Sequence, residues 1–356
     1  MSISKTVLKA SPYYLEDVLG HTLDERAKRG KISFILLNQP PVCDSYCRRC
    51  FMPDSRRGLV CFDSLSLEES VQVLENAKSY GALCLEISGE GEPVLSKNLP
   101  GIIHAADSLG YLTTLITNGH NLDFGFIDLC AVSNVTLVFS HFSLDEARYE
   151  SDNRLPGSFS CKQRNLRHAC GVYRELAEST DCYDVRRLAI HATLQSDNLQ
   201  DVMDLRKFSH NNGIFFSIAP LAQTGCALSN PGMMPGQLVS IAEELVPLEQ
   251  VPLKLGDNSI IHSHSSKLEI GREVCGTCFY GLNIGYDGAL LLDAHSGYEL
   301  SGSLGNVRTT PFNELVGRQR SFALELFRSI DGFCPVRDPK WPVFLKKLLY
   351  SNPKHI

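Results

Sequence analysis

The sequence predicts an α/β protein built on a parallel sheet, and three observations carry that expectation. Short, almost unbroken apolar runs recur between residues 32 and 219. Longer stretches with helical periodicity separate them. Glycine and asparagine turns stand where several of the apolar runs stop. Strands this apolar, alternating with helices, imply a parallel sheet covered on its outer face. The crossovers are expected to be right-handed.

The elements follow in order. Residues 12–29 open on the proline of Ser11-Pro12 and read as a short helix before the core. Ile32 to Leu37 is the first strand. Ser66-Leu67-Glu68-Glu69 has the form of a capping box and opens a helix from Leu67 to Tyr80. Leu83 to Ser88 is the second strand, with a helix over 99–109 behind it. Leu112 to Thr117 is the third, followed by a helix near Phe126 to Cys130. Val135 to Ser140 is the fourth. A helix from Leu166 to Ser179, a strand from Leu188 to Leu194, a helix from Leu199 to Phe208 and a strand from Ile214 to Ala219 complete six units. After residue 220 the pattern changes, so a full eight-stranded barrel is not expected. Residues 226–265 are rich in Pro, Gly and Ser and read as a linker, with a helix from Gln237 to Leu245.

Composition narrows the function classes. A chain of 356 residues buries one large core or two smaller ones. A formal charge of -6 gives no support for nucleic-acid binding. Thirteen cysteines are too unevenly spaced for a disulfide scaffold. The start MSISKTVLKA lacks the apolar centre of a signal peptide, and no run reaches the roughly 18 apolar residues of a membrane span. A reducing cytoplasm is the expected location.

Cys43, Cys47 and Cys50 are spaced four and then three apart, directly after the first strand. Thiolates this close on one loop hold an iron-sulfur cluster without long-range help, and three ligands on a four-iron cube leave one iron open. Zinc sites usually pair Cys-x2-Cys with a second ligand pair, and the third cysteine argues against that reading. CxxxCxxC at this place resembles the radical S-adenosylmethionine superfamily. An aromatic residue usually precedes that family's third cysteine; here the position is Arg49.

The resemblance implies a partial (β/α)6 barrel over residues 31–225, after an N-terminal extension of residues 1–30. It implies a 4Fe-4S cluster whose open iron chelates S-adenosyl-L-methionine, and reductive cleavage to a 5'-deoxyadenosyl radical. Ser88-Gly89-Glu90-Gly91-Glu92-Pro93, after the second strand, is similar to the turn that accepts hydrogen bonds from the methionyl amino group. Thr117-Asn118-Gly119 is similar to a segment near the cofactor, and Ser140 to a residue that reaches its ribose or carboxylate. Asn198 resembles a recurrent asparagine after the fifth strand and is read equally as a helix cap. His141, expected at the mouth of the sheet, is a general acid or base or an ordinary hydrogen-bonded histidine. His262 and His264 read as surface residues.

A second cysteine site, Cys275-Gly276-Thr277-Cys278, leads into strand, turn and strand with Asp287-Gly288 at the tip. Ser303-Leu304-Gly305-Asn306 follows, then a helix from Pro311 through Leu326, then Cys334. This order resembles the SPASM or shorter twitch extension of the same superfamily. It implies a C-terminal domain over residues 266–356 with a second, auxiliary 4Fe-4S cluster on Cys275, Cys278 and Cys334. Asp293 or Cys226 is the fourth ligand, or that place is open to substrate. A structural zinc knuckle uses the same thiolates.

The expected activity is hydrogen-atom abstraction from a small molecule, completed as a dehydrogenation or an epimerisation, with Cys226 as hydrogen donor in the second case. A peptide-modifying maturase acting on a short peptide is the alternative, and a non-catalytic iron-sulfur or zinc protein is the other class. The expected partner is a low-potential electron donor such as flavodoxin or ferredoxin.

Overall fold

The computed structural model describes residues 22–52, 63–179, 187–222, 224–229, 265–266, 274–275, 277–292 and 304–330. The expected helix at 237–245, His262, His264, Asp293 and Cys334 lie outside the described residues, and of Cys275 only the backbone is described.

Helix α1 (Thr22–Lys28) precedes β1 (Phe34–Gln39). Then come α2 (Leu67–Ser79), β2 (Cys84–Gly89), α3 (Leu99–Ser108), β3 (Leu112–Thr117), α4 (Phe124–Val132) and β4 (Val135–Ser140). Two helices follow β4: α5 (Glu146–Asn153) and α6 (Ser158–Ser179). Next are β5 (Leu188–Leu194), α7 (Leu199–Asn211) and β6 (Phe215–Pro220). The two-stranded pair β7 (Ser265–Ser266) and β8 (Val274–Cys275) precedes the short α8 (Thr277–Tyr280), then β9 (Gly281–Ile284), β10 (Leu290–Leu291) and α9 (Phe312–Ser329).

The sheet runs β10-β9-β1-β2-β3-β4-β5-β6. All neighbours are parallel except β10, which closes a hairpin on β9. It is open, so it remains a partial barrel. The hairpin expected in a separate C-terminal domain lies in this same sheet, with Phe34 opposite Gly281 and Leu37 opposite Ile284. Gly281 permits that approach, because a Cβ there would strike the Phe34 ring at 2.5 Å. Phe279 and Tyr280, read as strand residues from sequence, belong instead to α8.

Local chemistry explains the element ends. Ser66 accepts from the Glu69 N–H at 3.1 Å, and the Glu69 carboxylate accepts from the Ser66 N–H at 2.8 Å, closing the capping box. Gly288, with φ +83, sits in the turn between β9 and β10. Asn306 donates to the Asp287 carbonyl at 3.0 Å and braces that turn.

Alternate residues of each strand feed two apolar cores. Ile35, Leu37, Leu85, Ile87, Leu115, Leu137 and Ile190 belong to the layer that includes helix residues such as Leu74, Ile102 and Leu166. Phe34, Cys84, Leu112, Val138, Ala189 and Phe215 face the other way and join Leu23, Tyr280, Leu326 and Phe327. The sheet is therefore buried on both faces, as the apolar runs require. Among the described residues, no helix is long and apolar enough to cross a membrane.

Candidate active site

The carboxyl ends of parallel strands are where α/β sheets present loops to ligands. Here the loop after β1 carries Cys43, Cys47 and Cys50, all partly buried and in no disulfide. Four other segments hold this loop.

The turn after β2 supports it from one side. Gly91 lies so close that a Cβ would overlap the Val42 carbonyl oxygen and come within 2.5 Å of the Pro40 oxygen. The Glu92 N–H donates to the Val42 carbonyl at 2.8 Å. Glu92 itself is buried, and its carboxylate accepts from Thr117 Oγ1 at 2.6 Å, the Asn118 N–H at 2.7 Å and the Val94 N–H at 3.2 Å. Burial pushes its pKa up to about 7 against the pull of those three donors. Its carboxylate thus staples the ends of β2 and β3 together. Glu90 is also buried. Gly89 is spaced tightly against Gly91, whose carbonyl oxygen a Cβ would meet at 3.0 Å.

The segment after β3 holds Asp44. Asn118 Nδ2 donates to one Asp44 oxygen at 2.6 Å, and Asn121 Nδ2 to the other at 2.8 Å. His120 Nδ1 lies 3.3 Å from the same second oxygen. Burial raises the Asp44 pKa, but hydrogen bonds from His120 and Asn118 outweigh it and hold the carboxyl below its usual range. Behind His120 the chain of bonds continues: Nε2 to the Tyr149 hydroxyl at 2.7 Å, and that hydroxyl to Lys162 Nζ at 2.7 Å. Lys162 ends on the Ser140 carbonyl. Lys162 Nζ–H donates to the Tyr149 oxygen, and the Tyr149 hydroxyl donates to His120 Nε2. His120 then presents Nδ1–H to Asp44. Burial drives Lys162 well below and Tyr149 above their ordinary pKa values, and lowers that of His120.

Helix α5 is the third support. The carbonyls of its last residues have no partner within the helix. Those of Asp152 and Asn153 accept from the loop N–H groups of Arg48 at 3.2 Å and Tyr46 at 2.9 Å. Cys47 Sγ lies 3.0 Å from Asn153 Oδ1. Arg49 forms a buried ion pair with Asp152, donates to Asn153 Oδ1 at 3.3 Å and sits 4.9 Å above the Phe142 ring. Arg49 is thus turned into the wall of the site, toward α5.

The segment after β6 closes the back. Gly225, at φ +56, packs where any Cβ would overlap the Phe51 carbonyl. Cys226 lies beside it, with Sγ 3.0 Å from the Met52 carbonyl, and the Ala227 N–H donates to the Cys50 carbonyl at 3.1 Å.

Several expected residues lie in the walls. His141 is buried between β4 and α6, 3.2 Å from Gln163 Nε2 and edge-on to Tyr149. Burial first, then Lys162, Arg49 and His120, place its pKa well below the ordinary value, so the ring is neutral at pH 7. Asn198 makes no helix-capping bond. It closes the loop after β5, accepting from the Gln195 N–H at 2.7 Å and donating to the Thr193 carbonyl at 2.9 Å. Ser140 is half-buried at the end of β4. Cys278 is fully buried in the apolar core beneath the hairpin.

Sequence reading missed Asp44, His120, Tyr149, Asp152, Asn153 and Lys162. One signal was present. Phe159, Lys162, Leu166, Ala169 and Tyr173 fall on one helical stripe, and a lysine inside an apolar stripe needs a buried partner.

The donor set fits an iron-sulfur cluster. Each cysteine of such a cube binds its own iron, so the three thiols need only line one loop without converging on a single point. Among the described residues, no three His, Cys, Asp or Glu donors are assembled for a single ion. Cys43, Cys47 and Cys50 would hold the cluster.

No family model matches the sequence. The S-adenosylmethionine-dependent nucleotide dehydratase of Flammeovirga pacifica is 27% identical over 169 residues, 47% of this chain and 54% of that protein. The chain thus spans about half the length of that curated relative. Streptococcus suis SuiB bound to S-adenosylmethionine aligns at a TM-score of 0.64 and 17% identity, covering 90% of this chain and 78% of that one. The anSMEcpe structure with bound AdoMet aligns at 0.58 and 15% identity, covering 83% and 84%. At such identities the structural likeness establishes the fold.

Proposed function

The chain has the radical S-adenosylmethionine fold, and from that premise we propose that it is a radical S-adenosylmethionine enzyme. The observation that carries the proposal is the loop of Cys43, Cys47 and Cys50 at the carboxyl end of β1, clamped by the Gly91 turn and α5. When bound, the cluster would supply the electron that splits S-adenosylmethionine into methionine and a 5'-deoxyadenosyl radical, which takes a hydrogen atom from substrate. The protein's own part is to hold the loop, exclude water and fix the substrate C–H bond. Glu92 and Asn118 fix the strand ends around the expected cofactor cradle of Gly89, Glu90 and Gly91, and Ser140 lies at its far side.

A small-molecule substrate is favoured, supported by the nucleotide dehydratase likeness in sequence. A specific observation keeps a peptide in play: SuiB is also described bound to its precursor peptide SuiA, and anSMEcpe with the Cp18Cys peptide. Dehydrogenation would send one proton and one electron away from the substrate radical, the electron to a second cluster on Cys275, Cys278 and Cys334 with Asp293 as a further ligand. Epimerisation would need a hydrogen atom from Cys226, whose thiol must first leave the Met52 carbonyl. His141, neutral and walled in, would serve through Gln163 rather than by contact. A low-potential flavodoxin or ferredoxin would be the reductant.

The test is anaerobic reconstitution with iron and sulfide, followed by reduction in the presence of S-adenosylmethionine. The expected product is 5'-deoxyadenosine. A fully loaded cluster that releases none overturns the reading. Deuterium moving from labelled candidates into 5'-deoxyadenosine separates small molecule from peptide.

A further inference from the structure

Tyr149, Asp152 and Asn153 stand three and four residues apart on α5, so they share one face, and that face meets the cysteine loop. Within it the Asn153 side chain is unusual. It is 2% exposed, its Oδ1 lies 3.0 Å from Cys47 Sγ, and its Nδ2 makes no well-formed hydrogen bond. That nitrogen faces the Tyr149 hydroxyl, which already gives its proton to His120.

The Cys47 thiol donates to Oδ1. A sulfur bound to iron has no proton to give, and a carbonyl oxygen held at that distance repels it. The amide has the remedy in its other arm. Which end of an asparagine amide faces a neighbour is decided by its hydrogen bonds. A half-turn puts Nδ2–H on the sulfur and turns Oδ1 toward Tyr149. The turn gives up the 3.3 Å contact from Arg49, whose ion pair with Asp152 stays, and the amide N–H on Tyr149, whose hydroxyl proton then turns from His120 to Oδ1.

We propose that Asn153 is the side-chain N–H donor to the Cys47 sulfur of the cluster, and that it tunes the reduction potential. Resting on the cluster assignment above, this adds a positioning residue to it. Hydrogen bonds to the sulfurs are among the factors that set cluster potentials. A donor favours the more electron-rich reduced state, so it raises the potential. The backbone tethers of α5 to Tyr46 and Arg48 use carbonyls, which every substitution at Asn153 keeps.

The experiment is a spectroelectrochemical titration of reconstituted wild type, Asn153→Ala and Asn153→Asp, with iron counted in each. The expected result is wild-type iron content in both variants, a midpoint shifted to more negative potential in Asn153→Ala, and a larger negative shift in Asn153→Asp, where a carboxylate faces the sulfur. If Asn153→Ala loses iron, the near-isosteric Asn153→Asp is read alone. Unmoved midpoints overturn the inference, as does loss of iron in both variants, which would make Asn153 a tether only. A wild-type chain that binds no cluster fails the earlier reading instead, and the iron count tells the two apart.

Discussion

Two regions carry cysteines beside the same strand, and they are built differently. After β1, three half-buried thiols lie among Asp44, Asn118, Arg49 and Asn153, with the loop's N–H groups and carbonyls held by neighbouring segments. Beneath the hairpin, Cys278 is fully buried beside Phe279 and Tyr280 in an apolar core. Polar surroundings can stabilise an anionic ligand set, whereas apolar surroundings disfavour a thiolate.

The sharpest way to break the first region short of its cysteines is at Asp152. Asp152→Ala strands the buried Arg49 cation, and removing one partner of a buried pair costs about 3–5 kcal/mol. Denaturant unfolding reads this directly; a loss under 1 kcal/mol, the typical worth of an exposed pair, would mean that Arg49 finds solvent. Gly91→Ala comes next. From the family resemblance of its turn, this change is expected to weaken cofactor binding more than it weakens folding. The structure moves the clash to the backbone at Pro40 and Val42, so the expected effect is about 1–3 kcal/mol of overpacking and poorer iron retention together. Weakened cofactor affinity with unchanged stability and iron would restore the sequence expectation.

Glu92 sharpens the comparison through pH. Its folded pKa of about 7 lies above the ordinary glutamate value of 4.5, so the folded state holds the proton more tightly than the unfolded one. That stabilisation is complete below the unfolded pKa and is lost as pH rises through the folded one. Glu92→Gln should flatten the fall of stability with pH across that window, followed by thermal unfolding at several pH values. An unchanged slope would assign the titration elsewhere. The smallest effect is expected at Cys278. In the epimerisation reading, where Cys278 only packs, Cys278→Ala loses about 1 kcal/mol and no iron. A drop of about four irons per chain would instead make it a ligand of a second cluster.

Much of the frame was legible. Strands at Leu112–Thr117, Val135–Ser140 and Leu188–Leu194 match their apolar runs to the residue, because burial on both faces leaves no doubt about where the run stops. Helix α5 was not legible. Its sequence, Glu146 to Asn153, is polar almost throughout, since its inner face serves an ion pair and hydrogen bonds instead of an apolar core. The joining of the hairpin to β1 was equally hidden, because strand order is set by contacts far apart in the chain. Spacing alone picked out Cys43, Cys47 and Cys50. The groups that brace them come from β3, α5 and α6, and only the fold brings those together.

The central claim is that these three thiols hold one cluster that the rest of the site is built to support. It is tested most directly by counting iron and recording the spectrum of the reduced protein, for wild type and for Cys43, Cys47 and Cys50 all changed to Ala, after identical anaerobic reconstitution. The account predicts that the triple variant holds about four fewer irons per chain and yields no 5'-deoxyadenosine. Wild-type iron content in the triple variant would contradict it.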